Sequence, residues 1–177
     1  MRYRHRERLE RNAPYILIAN HSSWIDPVVM AYPIKRYEVT FLGKKELVKN
    51  KLAARILNQL HMIVVDRHNM DMEAMRSCMR VVKGNGILGI FPEGTRHHRG
   101  VMEETEAGVG LIALRSNVPL IPMYIDRAVC PFRVTHVTVG EPVPYDDLRA
   151  QGVNMETSRA LMDRLREVYR ELIRDGQ

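Results

Sequence analysis

Short apolar runs alternate along this chain with longer stretches whose apolar residues recur every three or four positions. "YILIA" (15–19) reads as a buried strand, followed by "EVTFLG" (38–43), "MIVV" (62–65), "GILGIF" (86–91), "PLIPMYI" (119–125) and "FRVTHVTVG" (132–140), the last with a clear in–out alternation. Between the strands, Leu47, Val48, Leu52, Ile56, Leu57 and Leu60 fall at helical spacing within 45–60. A helix over 70–83 closes at Gly84, another spans 107–116, and an amphipathic helix over 155–174 carries Leu161, Leu165, Val168 and Leu172 on one face. A short helix opens at Asp26-Pro27, where Asp is a good N-cap and Pro a good first helical residue. No repeat, low-complexity tract or linker interrupts the series. Strands alternating with helices predict one α/β domain over 1–177, with a mostly parallel or mixed central sheet flanked by helices. Its parts are a basic segment (1–12), a core (13–145) and a C-terminal helix (154–175).

Composition narrows the class. A chain of 177 residues that is 45% hydrophobic and 27% charged can bury a real core and is not a disordered polymer. No apolar run approaches the roughly 18 residues that span a bilayer, and "MRYRHRERLER" holds no apolar signal-peptide core. The expectation is a soluble or peripheral protein. Cys78 and Cys130 lack CxxC spacing, which points to reduced thiols in a cytosolic setting rather than a disulfide framework or a zinc site.

Charge adds a partner class. Residues 1–60 hold 12 Lys/Arg against 5 Asp/Glu, while the remainder is nearly balanced at 15 against 16. A basic N-terminal third fits an anionic partner (a membrane surface, a nucleic acid or a phosphorylated substrate) or a merely solvated face. Aromatics at 6%, with no recognition motif, leave few stacking platforms and weigh against nucleic acid.

Two loops carry the chemistry, and both leave strands at the end where parallel α/β sheets bind ligands. In "ANHSSWIDP", His21 and Asp26 are five apart. On one helix they would stand about 140° apart around the axis. In a loop turning into a helix they can meet, one Asp oxygen capping the helix and the other accepting from the imidazole. Such a bond fixes the tautomer and favours the imidazolium that forms when the other nitrogen takes a proton. A pair of metal ligands would need a third, which is not evident nearby, and Ser22 and Ser23 lack a G-x-S-x-G elbow. The plainer alternative is a helix cap beside a loop histidine. In "FPEGTR" (91–96), Gly94 permits an unusual turn, Arg96 offers a fork for a phosphate, and Glu93 can tie down the loop through backbone N–H groups or a basic side chain.

"NHSSWID" carries the pattern N-H-x-x-x-x-D, and with "FPEGTR" it resembles the two signature blocks of the glycerolipid acyltransferases, the 1-acyl-sn-glycerol-3-phosphate acyltransferase family. "FLGKKEL" (41–47), "IVVDR" (63–67) and "VPLIP" (118–122) follow the family's order, so the resemblance covers roughly 14–140. It implies transfer of an acyl group from acyl-CoA or acyl carrier protein to the hydroxyl of lysophosphatidate or a related lysophospholipid. It implies His21 as the general base and Asp26 as its partner. Glu93, Gly94, Thr95 and Arg96 would form the phosphate site, with Lys44 and Arg67 as further basic contributors. Transfer would be direct, without an acyl-enzyme, cofactor or metal.

One feature qualifies that picture. "EETEAGVG" places Glu103, Glu104 and Glu106 where the family often has a basic residue. They raise the negative potential near a phosphate and point to glycerol 3-phosphate or another lysolipid as alternative acceptors. A non-catalytic phospholipid-binding module is a third reading, against which an intact His21–Asp26 pair argues. Contact with an anionic membrane would fall to helix 45–60, with Lys45, Lys49, Lys51 and Arg55, and to the Arg-rich residues 2–11, at about 1 kcal/mol per basic group near the surface. The expected location is the cytoplasmic face of the membrane, peripherally bound.

Overall fold

The computed structural model describes residues 1–44, 62–65, 72–94, 100–126 and 134–176. Its strands are β1 (Arg2–Arg4), β2 (Tyr15–Ala19), β3 (Val39–Lys44), β4 (Met62–Val65), β5 (Ile87–Ile90), β6 (Leu120–Ile125) and β7 (His136–Val139). They join in one sheet of order β1-β7-β6-β2-β5-β3-β4. The β6–β7 pair is antiparallel and every other pair parallel, so the sheet is mixed. The helices are α1 (Asp26–Ala31), α2 (Met72–Lys83), α3 (Ala107–Ser116), α4 (Asp146–Ala150) and α5 (Met155–Gly176), with a 3-10 turn at Arg6–Leu9.

The unbroken apolar run of β2 follows from its place. It lies between β5 and β6, and all five of its residues are buried. Ile16 and Ile18 join Leu88, Ile90 and Leu120 on one face, beneath α2, α3 and α5. Tyr15, Leu17 and Ala19 join Val39, Phe41, Ile87, Ile121 and Met123 on the other, against Val29 and Met30 of α1 and Leu9 of the 3-10 turn. In α5, Leu161, Leu165 and Leu172 are buried as the spacing predicts, Val168 is half-buried, and Tyr169 shares the buried face. Asn154 caps this helix, its Oδ1 accepting from the N–H groups of Glu156 and Thr157 at 2.9 and 3.0 Å. Gly84 is the cap position of α2, but the left-handed residue is Asn85 (φ 58°). The Asn85 and Gly86 N–H groups close the end on the carbonyls of Val82 and Val81.

Cys78 of α2 is wholly buried, and burial pushes its thiol up to about 12. With so little thiolate near neutral pH, Cys78 in folded protein should resist iodoacetamide and be alkylated only after denaturation. Peptide mass mapping of the two samples reads this directly.

The N-terminal segment departs from expectation. Its charge-rich pattern hides a strand, because β1 is an edge strand that, among the described residues, pairs only with β7 and keeps Arg2 and Arg4 exposed around half-buried Tyr3. Its arginines turn to the protein's own carbonyls: Arg4 donates to Asp175 O, Arg6 to Pro33 O at 3.3 Å, and Arg8 to Val139 O at 2.7 Å. Arg8 also pairs with Glu141 at 2.6 Å, while Arg2 and Arg11 remain exposed. The expected helix 45–60 and the first part of the strand 132–140 lie outside the described residues. No helix among the described residues is long and apolar enough to cross a membrane.

Candidate active site

Strands β2 and β5 are parallel neighbours, with Ile18 level with Ile90, so the loops that follow them emerge side by side. Asn20, buried at the exit of β2, continues the pairing with its side chain. Its Nδ2 donates to Ile125 O at 2.9 Å, and its Oδ1 accepts from Ile125 N at 2.8 Å. This amide clamp on the end of β6 fixes where the chain turns, one residue before His21.

His21 is held at three points. Its Nδ1 lies 3.0 Å from Asp26 Oδ2. Its backbone N–H donates to Glu93 Oε2 at 2.8 Å. Its ring stacks on Phe91 with centroids 4.2 Å apart. A carboxylate only accepts, so this bond puts the proton on Nδ1 and leaves the Nε2 lone pair for another partner. The imidazole side chain is 19% exposed, whereas Asp26 is fully buried. A reachable imidazole over a buried carboxylate is the result.

The Asp26 carboxylate works differently from the expected division of labour. The helix begins one residue earlier, with Ile25 at the N-cap and no side-chain cap bond. A single oxygen, Oδ2, accepts from the N–H groups of Ser22 and Ser23, both at 2.7 Å, as well as from His21. Oδ1 is buried and has no hydrogen-bond partner among the described residues. Folding back onto the loop, rather than capping forward, lets one residue shape the turn and orient the ring together.

Glu93 joins the two loops. Its buried carboxylate accepts from His21 N through Oε2 and from Met102 N through Oε1, both at 2.8 Å. Arg166 of α5 donates to Met102 O at 3.1 Å, so the backbone of Met102 is held at both its N–H and its carbonyl. Gly94 sits at φ +62°, a conformation that favours glycine, and a Cβ there would lie 3.1 Å from Glu106 Cγ and Oε1. Glu106, one of the three acidic residues singled out in the sequence, therefore stands against Gly94. Tyr169, on α5, shares its hydroxyl between Ile18 O (2.8 Å) and Met123 O (3.1 Å) at the ends of β2 and β6. Burial first, then the charge of Glu93, push that hydroxyl well above its usual range, so it stays protonated as a donor.

His21, Asp26, Glu93 and Gly94 are thus brought together. Lys44 is placed by its backbone at the end of β3, which runs parallel to β5. Thr95, Arg96 and Arg67 lie outside the described residues. Asn20, Phe91 and Tyr169 were not foreseen. Of these, Tyr169 was detectable, four residues after Leu165 on a helix face already read as apolar.

Gly89 supports the site from beneath. A Cβ on it would come within 2.5 Å of Phe41 Cε1 and 2.6 Å of Cδ1. Phe41 stacks on Phe91 at 6.2 Å, and Phe91 on His21. Gly89→Ala should displace Phe41 and lower stability by about 1–3 kcal/mol, the usual cost of overpacking a filled core. Denaturant titration reads the loss, and NMR of the His21 imidazole should show its resonances move.

Comparison with known proteins follows the same lines. The family model described as Acyltransferase matches residues 1–126. A 1-acyl-sn-glycerol-3-phosphate acyltransferase of Bacillus subtilis (strain 168) is 31% identical over 117 residues, covering 66% of this chain and 58% of that protein. One of Streptococcus pneumoniae (strain ATCC BAA-255 / R6) is 28% identical over 165 residues, covering 89% and 60%. The chain thus spans about three fifths of the length of these curated relatives. The crystal structure of the 1-acyl-sn-glycerophosphate (LPA) acyltransferase PlsC from Thermotoga maritima superposes with a TM-score of 0.61, covering 93% of this chain and 71% of that one. At 21% identity, the likeness is one of fold.

Proposed function

This chain belongs to the Acyltransferase family, and from that premise we propose that it moves a fatty acyl group from acyl-CoA or acyl carrier protein to the free hydroxyl of 1-acyl-sn-glycerol 3-phosphate, giving phosphatidic acid. The observation that carries this reading is the His21 imidazole, oriented through Nδ1 by buried Asp26 and reachable beside the Phe91–Gly94 loop. Names of the relatives support the acceptor.

In this mechanism Nε2 takes the proton of the acceptor hydroxyl as its oxygen attacks the thioester carbonyl. The new C–O ester bond forms, the C–S bond breaks, and the proton passes from the imidazolium to the departing thiolate. Asp26 keeps the ring in the reactive tautomer and stabilises its transient charge. No side chain is acylated. Glu93, holding His21 N and Met102 N, keeps the base and the phosphate loop in register. Gly94 shapes the turn of its loop, and Thr95, Arg96, Arg67 and Lys44 are the residues assigned to the acceptor phosphate. The work is done peripherally on an anionic membrane at its cytoplasmic face.

The position of Glu106 against Gly94 favours a second reading with the same chemistry, in which glycerol 3-phosphate or a lysolipid with a different head group is the acceptor. The test is a panel of acceptors offered with both donor types, the products resolved by mass spectrometry. Phosphatidate formed preferentially from lysophosphatidate is the expected result. Preference for glycerol 3-phosphate or for another lysolipid establishes the second reading. No acylated product from any acceptor, with folded protein and anionic vesicles present, would leave a lipid-binding module in its place.

A further inference from the structure

Half of the eight exposed large hydrophobic residues among those described are scattered, as on any protein surface. Four are not. Trp24, Ile25, Val28 and Tyr32 are 57%, 42%, 39% and 63% exposed, and they occupy the turn before α1, the helix itself and its C-terminal cap. Positions 24, 28 and 32 recur every four residues, so they form one row along the outer side of the helix. The opposite side buries Val29 and Met30 in the core. A helix apolar on both sides is ordinarily enclosed by protein or lipid. Here one side faces out, three residues beyond His21.

The surroundings fit a lipid. Lys35 and Arg36, exposed, follow the row immediately. Between 24 and 36 the one carboxylate is that of buried Asp26, so the outward charge of this stretch is positive, with exposed Glu38 the next acid along the chain. Trp and Tyr are the side chains that settle at the headgroup level of bilayers. The row is also firmly mounted. Tyr3 donates to Val29 O at 2.9 Å and stacks near Tyr32 with centroids 6.2 Å apart, and Arg6 donates to Pro33 O at 3.3 Å.

We propose that Trp24, Ile25, Val28 and Tyr32, flanked by Lys35 and Arg36, form the surface by which this protein seats itself in the interface of an anionic phospholipid bilayer. Seated there, it places His21 within reach of the hydroxyl of a membrane-held acceptor. The second part rests on the acyltransferase reading above; the first does not. Arg4, Arg6 and Arg8 of the Arg-rich segment 2–11 act in support of α1 by bracing the N-terminal edge; the expected helix 45–60 lies outside the described residues.

Trp24 is the single tryptophan of the chain, so intrinsic fluorescence reports on this surface alone. Vesicles of mixed phosphatidylcholine and phosphatidylglycerol should shift its emission to the blue, and brominated lipids should quench it. The paired change Val28→Ser with Tyr32→Ser should weaken vesicle partitioning about tenfold or more. Added salt should weaken it further without restoring the emission of the protein that remains bound. With a short-chain acceptor dissolved below its micelle concentration, that variant should turn over as the wild type does, and lose rate only on vesicle-borne acceptor. Co-sedimentation with vesicles while Trp24 emission stays unchanged would overturn the proposal and move docking to another face. So would failure to bind vesicles, or a concentration-dependent blue shift without lipid, the latter assigning the row to a second copy of the chain. If the fluorescence changes appear but no acceptor is acylated, docking stands and the acyltransferase reading falls.

Discussion

Replacing His21 by alanine is expected to lower acceptor-dependent acyl transfer by about 10²–10⁴-fold, the range that a positioned general base supplies. The loss should fall on kcat more than on KM, because Nε2 is asked to act as the hydroxyl proton leaves and not to hold the ground state. The fold should persist. Asp26 would keep its bonds from Ser22 N and Ser23 N, and the His21 backbone bond to Glu93 does not involve the ring. Circular dichroism and denaturant unfolding of the variant separate lost chemistry from lost structure. A variant that unfolds like the wild type yet retains its kcat would remove His21 from the mechanism.

Asp26 gives the second large effect, and two substitutions divide its roles. Alanine removes the acceptor of two backbone N–H groups in a partly buried turn, each worth about 1–3 kcal/mol when left unpaired. Asp26→Ala should therefore lose both stability and activity. Asparagine has nearly the same shape. With its carbonyl oxygen on Ser22 N and Ser23 N, it can preserve the turn while no longer favouring an imidazolium. With its amide turned to Nδ1, it moves the ring proton to Nε2 and disarms the base. Asp26→Asn should keep most of the stability yet lose roughly 10²–10⁴-fold in kcat. Equal losses of stability and rate in both variants would mean that Asp26 only builds the turn.

Elements and site were legible in the sequence to different depths. Where a strand lies centrally, as with β2, burial on both faces leaves a continuous apolar run, and its bounds follow directly. Edge strand β1 needs few apolar contacts, so "RYR" reads as mere charge although it extends the sheet beyond β7. The His21–Asp26 meeting was legible as one of two readings, since a loop turning into a helix lets residues five apart meet, and the resemblance favoured it over a helix cap beside a loop histidine. Which oxygen does what was not, since that depends on the loop's N–H groups converging on Oδ2. Asn20, Phe91 and Tyr169 each act on partners far along the chain: Asn20 on Ile125, Phe91 on His21, and Tyr169 on Ile18 and Met123. Local spacing holds no trace of such pairings; they appear only once the sheet order brings β2, β5 and β6 together. Glu93 was legible in part, as a residue that ties down its loop, but its reach to the His21 backbone required the β2–β5 register.

In the proposed chemistry the oriented His21 activates an acceptor hydroxyl against a thioester. It is tested most directly by following thiol release from a long-chain acyl-CoA in the presence of anionic vesicles, with and without lysophosphatidate, for the wild type and His21→Ala. The expected release requires the acceptor, is matched mole for mole by phosphatidate, and falls by at least about 10²-fold in the variant. Release that proceeds equally without acceptor, or that survives the loss of His21, would contradict it.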